Sequence, residues 1–301
     1  MKWLKLLFLV LLFLLVLAYS GVSVYLARSI VKPIPMTLEQ EEQWEKEHGM
    51  WNDFDQYDVE EYSVQGVDDY QLHAALVKAE NPASNKYVII THGFRSNRNG
   101  AVKYVPVYRA LGYNCIIYDV RGHGKNTPVT VTLGQIESQD LMKLIDDTYQ
   151  RYGSDIYLGL QGESMGSSIS LNALNYNPNI RFIVADCGFT NLYDLIDAGY
   201  DANHVRFLMS GVNLVTKYIY GVDMKLTSAI DAVGHNHSIP VTFIHGADDV
   251  FITPDNSEKL SQANGSDDKV LIVKGAAHAE SREVLGIEGY QKLVQQNPNV
   301  K

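Results

Sequence analysis

The stretch Tyr157-Leu-Gly-Leu-Gln-Gly-Glu-Ser-Met-Gly-Ser-Ser-Ile-Ser-Leu171 changes character in its middle. An apolar run suited to a strand ends in Gly162-Glu163-Ser164-Met165-Gly166, and a run suited to a helix follows directly. This is the local context of a G-x-S-x-G elbow, in which a tight strand-to-helix turn lifts a serine hydroxyl above a sheet. Gly162 and Gly166 suit a turn too tight for side chains at those positions, and the helix would point its N-terminus at the serine. A small-residue turn used only for close helix–strand packing has the same pattern. The flanks must separate the two readings.

Outward from the elbow the alternation repeats. Apolar strand-like runs occupy residues 86–91, 113–119, 156–161, 181–187, 241–245 and 269–273. Helical patterns cover residues 136–152, 164–175 and 280–296. Strands this apolar, alternating with helices, predict a mostly parallel sheet covered by helices on both faces, with ligands outside the carboxyl ends of its strands. Residues 62–67 and 71–79, joined by Asp68-Asp69, predict an antiparallel hairpin that opens the sheet. Between about residues 190 and 238 helical patterns continue without an obvious strand, which predicts a helical cap inserted over the active face. Its aromatic and aliphatic side chains, Tyr193, Tyr200, Phe207, Leu208, Tyr218 and Tyr220, suit either packing between cap helices or an apolar acyl group beneath them.

At 301 residues and 46% hydrophobic content the chain can bury a substantial core. A net charge of -10, with acids dense between Glu39 and Glu61, argues against nucleic acid as a partner. Cys115 and Cys187 both lie in apolar strand-like runs and read as small buried hydrophobes. Residues 6–27 are uncharged, with Lys2 and Lys5 before them and Arg28 and Lys32 after. That run has the length of a membrane span, and residues 1–28 are read as an anchor; a signal peptide cleaved near Ala18-Tyr19-Ser20 is the rival. The slight positive excess ahead of the run places the soluble body outside the cell, tethered in one reading and secreted in the other. Residues 29–57 read as an acidic linker with a surface helix at Leu38–Glu47, spacing the body of residues 58–301 from the membrane.

A serine hydroxyl attacks only when a base removes its proton, and the base needs a third group to set its tautomer. Of nine histidines, His48 falls in the linker, His73 inside a strand, and His204, His235 and His237 in or beside the cap. His92, His123 and His245 adjoin glycines at strand ends and read as packed structural residues. His235 and His237 together have no partner set for a metal. His278 follows the last strand, so it shares the carboxyl edge with Ser164 and comes last in the chain. An acid at the same edge is supplied by Asp248 or Asp249 after the seventh strand, or by Asp186 after the sixth. Backbone N–H groups of Met165 and Phe94 are positioned to receive an oxyanion.

Taken together, His92-Gly93-Phe94, Asp119-x-Arg121-Gly122-His123-Gly124, Gly162-x-Ser164-x-Gly166, Ala185-Asp-Cys-Gly188, His245-Gly-x-x-Asp249 and Gly275-Ala-Ala-His278-Ala resemble the serine alpha/beta-hydrolases, in particular bacterial, membrane-anchored, esterase-like members. The resemblance covers roughly residues 57–296. It implies an eight-stranded, mostly parallel sheet with a cap between the sixth and seventh strands, and Asp249, four residues after His245, as the acid. It further implies hydrolysis of carboxylic esters of small molecules through an acyl-enzyme on Ser164, with no metal or organic cofactor. Peptidase or thioesterase chemistry uses the same machinery, and an inert tethered binding protein could keep the fold. A serine at the elbow disfavours the epoxide-hydrolase and dehalogenase branches. Lys125-Asn126 departs from the family, which often has a serine two places after the histidine-glycine pair.

Overall fold

In the computed structural model, which describes residues 2–236, 238–265 and 270–301, the chain begins with helix α1 (Lys2–Val31) and helix α2 (Leu38–Glu47). Strands β1 (Val59–Gln65) and β2 (Gln71–Val77) pair antiparallel as the expected hairpin, turning at Asp68 and Asp69, both with positive φ. Strand β3 (Lys86–Thr91), helix α3 (Val105–Ala110), strand β4 (Asn114–Tyr118) and helix α4 (Gln135–Tyr152) come next. They lead into strand β5 (Tyr157–Glu163) and helix α5 (Met165–Asn172), and then strand β6 (Ile183–Asp186).

Helices α6 (Leu192–Ala202), α7 (Met209–Tyr218) and α8 (Ala229–Gly234) fill the interval before strand β7 (Val241–Gly246). Helix α9 (Asp255–Asn264), strand β8 (Leu271–Val273) and helix α10 (Ser281–Val294) complete the body. The start of the last strand, expected at Lys269, lies outside the described residues, as do His237 and Met1.

The sheet has the order β1-β2-β4-β3-β5-β6-β7-β8. β2 joins β4 antiparallel, and every pairing from β4 to β8 is parallel. This is the mostly parallel eight-stranded sheet expected from the apolar runs. Val88, Ile89, Ile90, Ile116 and Ile117 are buried whichever face they point to, so the central strands carry no polar-out alternation. The two layers divide the side chains strictly by parity. Ile89, Ile116 and Leu160 pack under α4, α5 and the cap, whereas Val88, Ile90 and Ile117 pack against α3 and α10.

The N-terminal region is built onto this body. The C-terminal half of α1 lies along α7. Tyr19 donates its hydroxyl hydrogen to the Phe207 carbonyl and accepts from the Gly211 N–H, each at 3.0 Å. A side chain at Gly211 would stand 2.2 Å from Ser23 Oγ, so glycine there permits the close approach of the two helices. Ser23, Ala27, Ile30 and Val31 are buried in consequence. Residues 32–57 are packed chain: Asn97 donates to the carbonyls of Met36 and Thr37, and Asn99 to that of Leu38. A reciprocal Thr37–Gln40 capping box starts α2. The segment expected as a spacer therefore lies across the carboxyl edge of the sheet. A linker reading rests on polarity alone, and polarity does not distinguish a solvated face from one docked through hydrogen bonds.

Candidate active site

The elbow sits at the centre of that edge. Ser164 has φ 54° and ψ -116°, a left-sided backbone that a non-glycine residue adopts only under constraint. The constraint comes from its neighbours. A Cβ at Gly162 would fall 2.3 Å from the Gly166 carbonyl oxygen, and one at Gly166 would fall 2.1 Å from that of Thr91. Both glycines are thus required by contact between β5, α5 and β3. Ser164 donates its N–H to the Asp186 carbonyl at 2.9 Å, tying the turn to β6.

His278 stands in the loop after β8. Its Nε2 is 2.9 Å from Ser164 Oγ and its Nδ1 is 2.7 Å from Asp249 Oδ2. With the proton assigned to Nδ1 and donated to the carboxylate, Nε2 is left as the acceptor for the serine hydroxyl. Asp249 is 2% exposed and fully engaged. Its Oδ1 accepts the N–H groups of Phe251 and Ile252 at 2.9 Å each, and His245 Nε2 approaches Oδ2 at 3.3 Å. Burial works to raise this carboxyl, but the hydrogen bonds from His245 and His278, with the charge of His278, outweigh it and hold it well below the usual carboxylate range. The group is an anion at any working pH.

The other two acids are elsewhere. Asp248 is exposed and donates its N–H to the Ala276 carbonyl. Asp186 is buried among Tyr290, Ser281 and Tyr104, whose hydroxyls reach its carboxylate at 2.9, 3.1 and 3.4 Å. Burial and the neighbouring Glu163 raise its pKa to about 6. Of the remaining histidines, His92 accepts from Val120 N–H, His123 from Arg95 N–H, and His245 holds Ser257 and the Ile252 carbonyl, all as packed structural groups. Met165 is the first residue of α5, so its N–H has no partner in a preceding turn. Gly93 lies beside the elbow, its pro-Cβ position 3.6 Å from Ser164 Cβ, which brings the following Phe94 to the same edge.

Several contributors escaped the sequence. Lys103, buried, donates to Glu163 at 2.6 Å and to the Ala279 carbonyl at 2.8 Å, and thus links the elbow to the residue after His278. Tyr104 also donates to Glu163, at 2.6 Å. Burial would lower the Lys103 pKa, but Glu163, Glu45 and Glu283 reverse that and keep it charged. Nothing in a single sequence marks a lysine in a loop as the partner of an elbow residue some sixty positions on. A groove of about 440 Å³ opens at Ser164 and His278, and its outer wall is α2, through Glu41, Trp44, Glu45 and then His48. His48, set aside as a linker residue, stacks on Trp44 with ring centroids 4.0 Å apart.

A second groove of about 600 Å³ lies under α6, lined by Leu195, Ala198, Ile230, Val250 and Phe251 among others. Phe251 borders both, its ring edge-on to His278 at 5.1 Å. None of the six cap residues proposed to hold an acyl group lines either groove. Tyr193, Tyr200 and Tyr220 pack on the core, Leu208 is buried, and Phe207 and Tyr218 face solvent. Among the described residues no group of three or more His, Cys, Asp or Glu has the arrangement to hold a metal ion.

The sheet order, the cap between β6 and β7 and the strand-to-helix elbow give the chain the alpha/beta-hydrolase fold. Residues 82–192 match the family model described as serine aminopeptidase, S33. The chain is 26% identical over 255 residues to the uncharacterized protein YqkD of Bacillus subtilis (strain 168), a match that spans 83% of this chain and 82% of that one. The Pyrococcus furiosus esterase Pf2001 superposes with a TM-score of 0.62 at 21% identity, over 84% of this chain and 93% of its own. A puromycin-hydrolyzing peptidase of Mycobacterium tuberculosis gives a TM-score of 0.63 at 17% identity, over 80% of this chain and 39% of its own. At these identities the two structures share the fold with this chain.

Proposed function

We propose that the protein hydrolyses carboxylic esters through an acyl-enzyme on Ser164. The observation that supports this reading is the continuous chain from Ser164 Oγ through His278 to the Asp249 carboxylate. Ser164 attacks the ester carbonyl carbon while His278 Nε2 takes the hydroxyl proton. Asp249 holds the imidazole in that tautomer and offsets the charge it gains. The negative charge on the carbonyl oxygen falls to the N–H groups of Met165 and Phe94. Collapse breaks the bond to the alcohol oxygen, which leaves with the proton from His278. A water, deprotonated by the same nitrogen, then attacks the acyl carbon, releasing the acid and restoring the serine.

The same steps cleave an amide if the leaving nitrogen is protonated, and the match to a serine aminopeptidase model favours a peptidase as the second reading. The body is proposed to be held at a membrane by α1 and to face outward, with residues 1–28 as anchor and 58–301 as the hydrolase. The groove under α6, where Leu195, Ile230, Val250 and Phe251 stand among polar side chains, suits the acyl chain better than the cap aromatics, which line neither groove.

A panel of p-nitrophenyl esters of rising acyl length, aminoacyl amides and acyl-CoAs tests the reading. Ester turnover is expected well above that of Ser164→Ala, together with labelling of Ser164 by a fluorophosphonate. Ester rates no higher than those of Ser164→Ala, in folded protein, would overturn it.

A further inference from the structure

Helix α2 is built the wrong way round for a surface helix. Its inward positions, Glu41 and Glu45, one turn apart, are glutamates 5% and 2% exposed, whereas Trp44 keeps 37% of its surface in solvent. A docked helix is expected to bury apolar side chains and expose its charges, and like charges one turn apart repel. Such reversals persist where function requires them.

The two carboxylates are also short of partners. Glu41 Oε1 accepts from Ser96 at 2.9 Å, but Glu41 Oε2 and Glu45 Oε2 are buried without a hydrogen bond. The nearby cation is already committed. Lys103 donates to Glu163 and to the Ala279 carbonyl and stands 3.6 Å from Glu283 as an ion pair. Among the groove-lining residues Glu41, Glu45, Glu163, Glu280 and Glu283 face a single lysine. An unpaired buried carboxylate is costly, and the cost falls when a hydrogen-bonding cation arrives.

We propose that Glu41 and Glu45 form a subsite for a primary ammonium group on the substrate, in the groove beside Ser164; this rests on the hydrolytic reading above. A primary ammonium offers the donors that both orphan oxygens lack, and it needs no octahedral or tetrahedral ligand set. Burial, the largest influence, raises Glu41 to about 7 and Glu45 to about 8. The titratable groups facing them are Lys103, Glu163, Glu280, Glu283, His48 and His278, and Arg282 lies within electrostatic reach of Glu45.

Matched esters test the proposal on either side of the scissile bond: p-nitrophenyl ω-aminohexanoate against p-nitrophenyl heptanoate, and ω-aminobutyl acetate against pentyl acetate. In one series the ammonium ester should exceed its methyl counterpart in kcat/KM by about tenfold or more, with a trimethylammonium analogue gaining less because it donates no hydrogen bond. That ratio should fall toward one in E41Q and E45Q, and taking a ratio cancels any general loss of activity in the variants. Ratios near one in both series, or a ratio unchanged in the double variant, would overturn the subsite. If no ester is turned over above Ser164→Ala, the hydrolytic reading fails while the subsite is still decided by calorimetry. Hexylammonium should then bind the full chain about tenfold tighter than hexanol and release protons at neutral pH. Equal binding of the two, the result expected if water alone fills the groove, overturns it.

Discussion

Which acid contacts His278 is decided by hydrogen bonds that only the folded chain makes. Asp249 receives two backbone N–H groups on one oxygen and His278 on the other, whereas Asp186 is enclosed by tyrosine and serine hydroxyls. Asp249→Asn should keep the geometry but favour the wrong imidazole tautomer, lowering kcat by on the order of 10³–10⁴. Asp186→Asn, which leaves the contact between His278 and Asp249 in place, should cost far less. Steady-state rates on a p-nitrophenyl ester check the pair, and a larger loss in the Asp186 variant would assign the role to the other acid. Fluorophosphonate labelling and circular dichroism of both variants separate lost chemistry from lost fold.

At the scale of elements, the legible parts were those with local causes. The apolar runs and helical patterns of β3 to α5 are properties of neighbouring residues, and the elbow announces itself because only glycine fits at positions 162 and 166. Helix α2 was legible as a surface helix over Leu38–Glu47, but not in its position. Charged residues on a short helix look the same whether they face water or a groove. The docking of α2 carries a pH signature. Glu41 and Glu45 are raised to about 7 and about 8 when buried, so the docked helix retains protons that a released helix gives up. Stability of docking is then fully present below about pH 4.5, the ordinary glutamate value, and declines as pH rises from there through 7 and 8. Hydrogen-exchange protection of residues 38–47, corrected for intrinsic rates, should fall over that range in the free protein. The fall should flatten in the double E41Q/E45Q variant. Protection that stays level from pH 5 to 9 would remove the support for this account.

At the scale of the whole molecule, α1 divides into an exposed apolar half and a docked half. Its side chains from Trp3 to Leu17 are all strongly exposed and apolar apart from Lys5, and from Tyr19 onward it docks on α7. Seventeen residues of free helix, 2 to 18, reach about 25 Å, a little less than the hydrocarbon thickness of a bilayer. A span by this helix therefore brings the body against the membrane surface. Phe207, Leu214, Tyr218 and Ile219, exposed on α7 and its flanks, would meet the headgroup region. The full chain should remain with membranes through a carbonate wash, and deletion of residues 2–18 should release folded, fluorophosphonate-reactive protein. Retention of the deleted form after the wash would place the anchoring elsewhere.

The sequence by itself determined the layered α/β architecture, the hairpin at the sheet's edge, the elbow at Ser164 and the order in which Ser164, an aspartate and His278 reach one edge. Those follow from periodicity, glycine sterics and the rule that parallel strands deliver their ends to the same side. Tertiary structure alone decided that Asp249 is the acid touching His278, that Lys103 ties Glu163 to the His278 loop, that the cap aromatics pack away from the grooves, and that an acidic segment expected in solvent forms a wall beside Ser164. Each of these depends on contacts between residues far apart in the chain. Their burial and partners are set by the packing of whole elements, which no local pattern records.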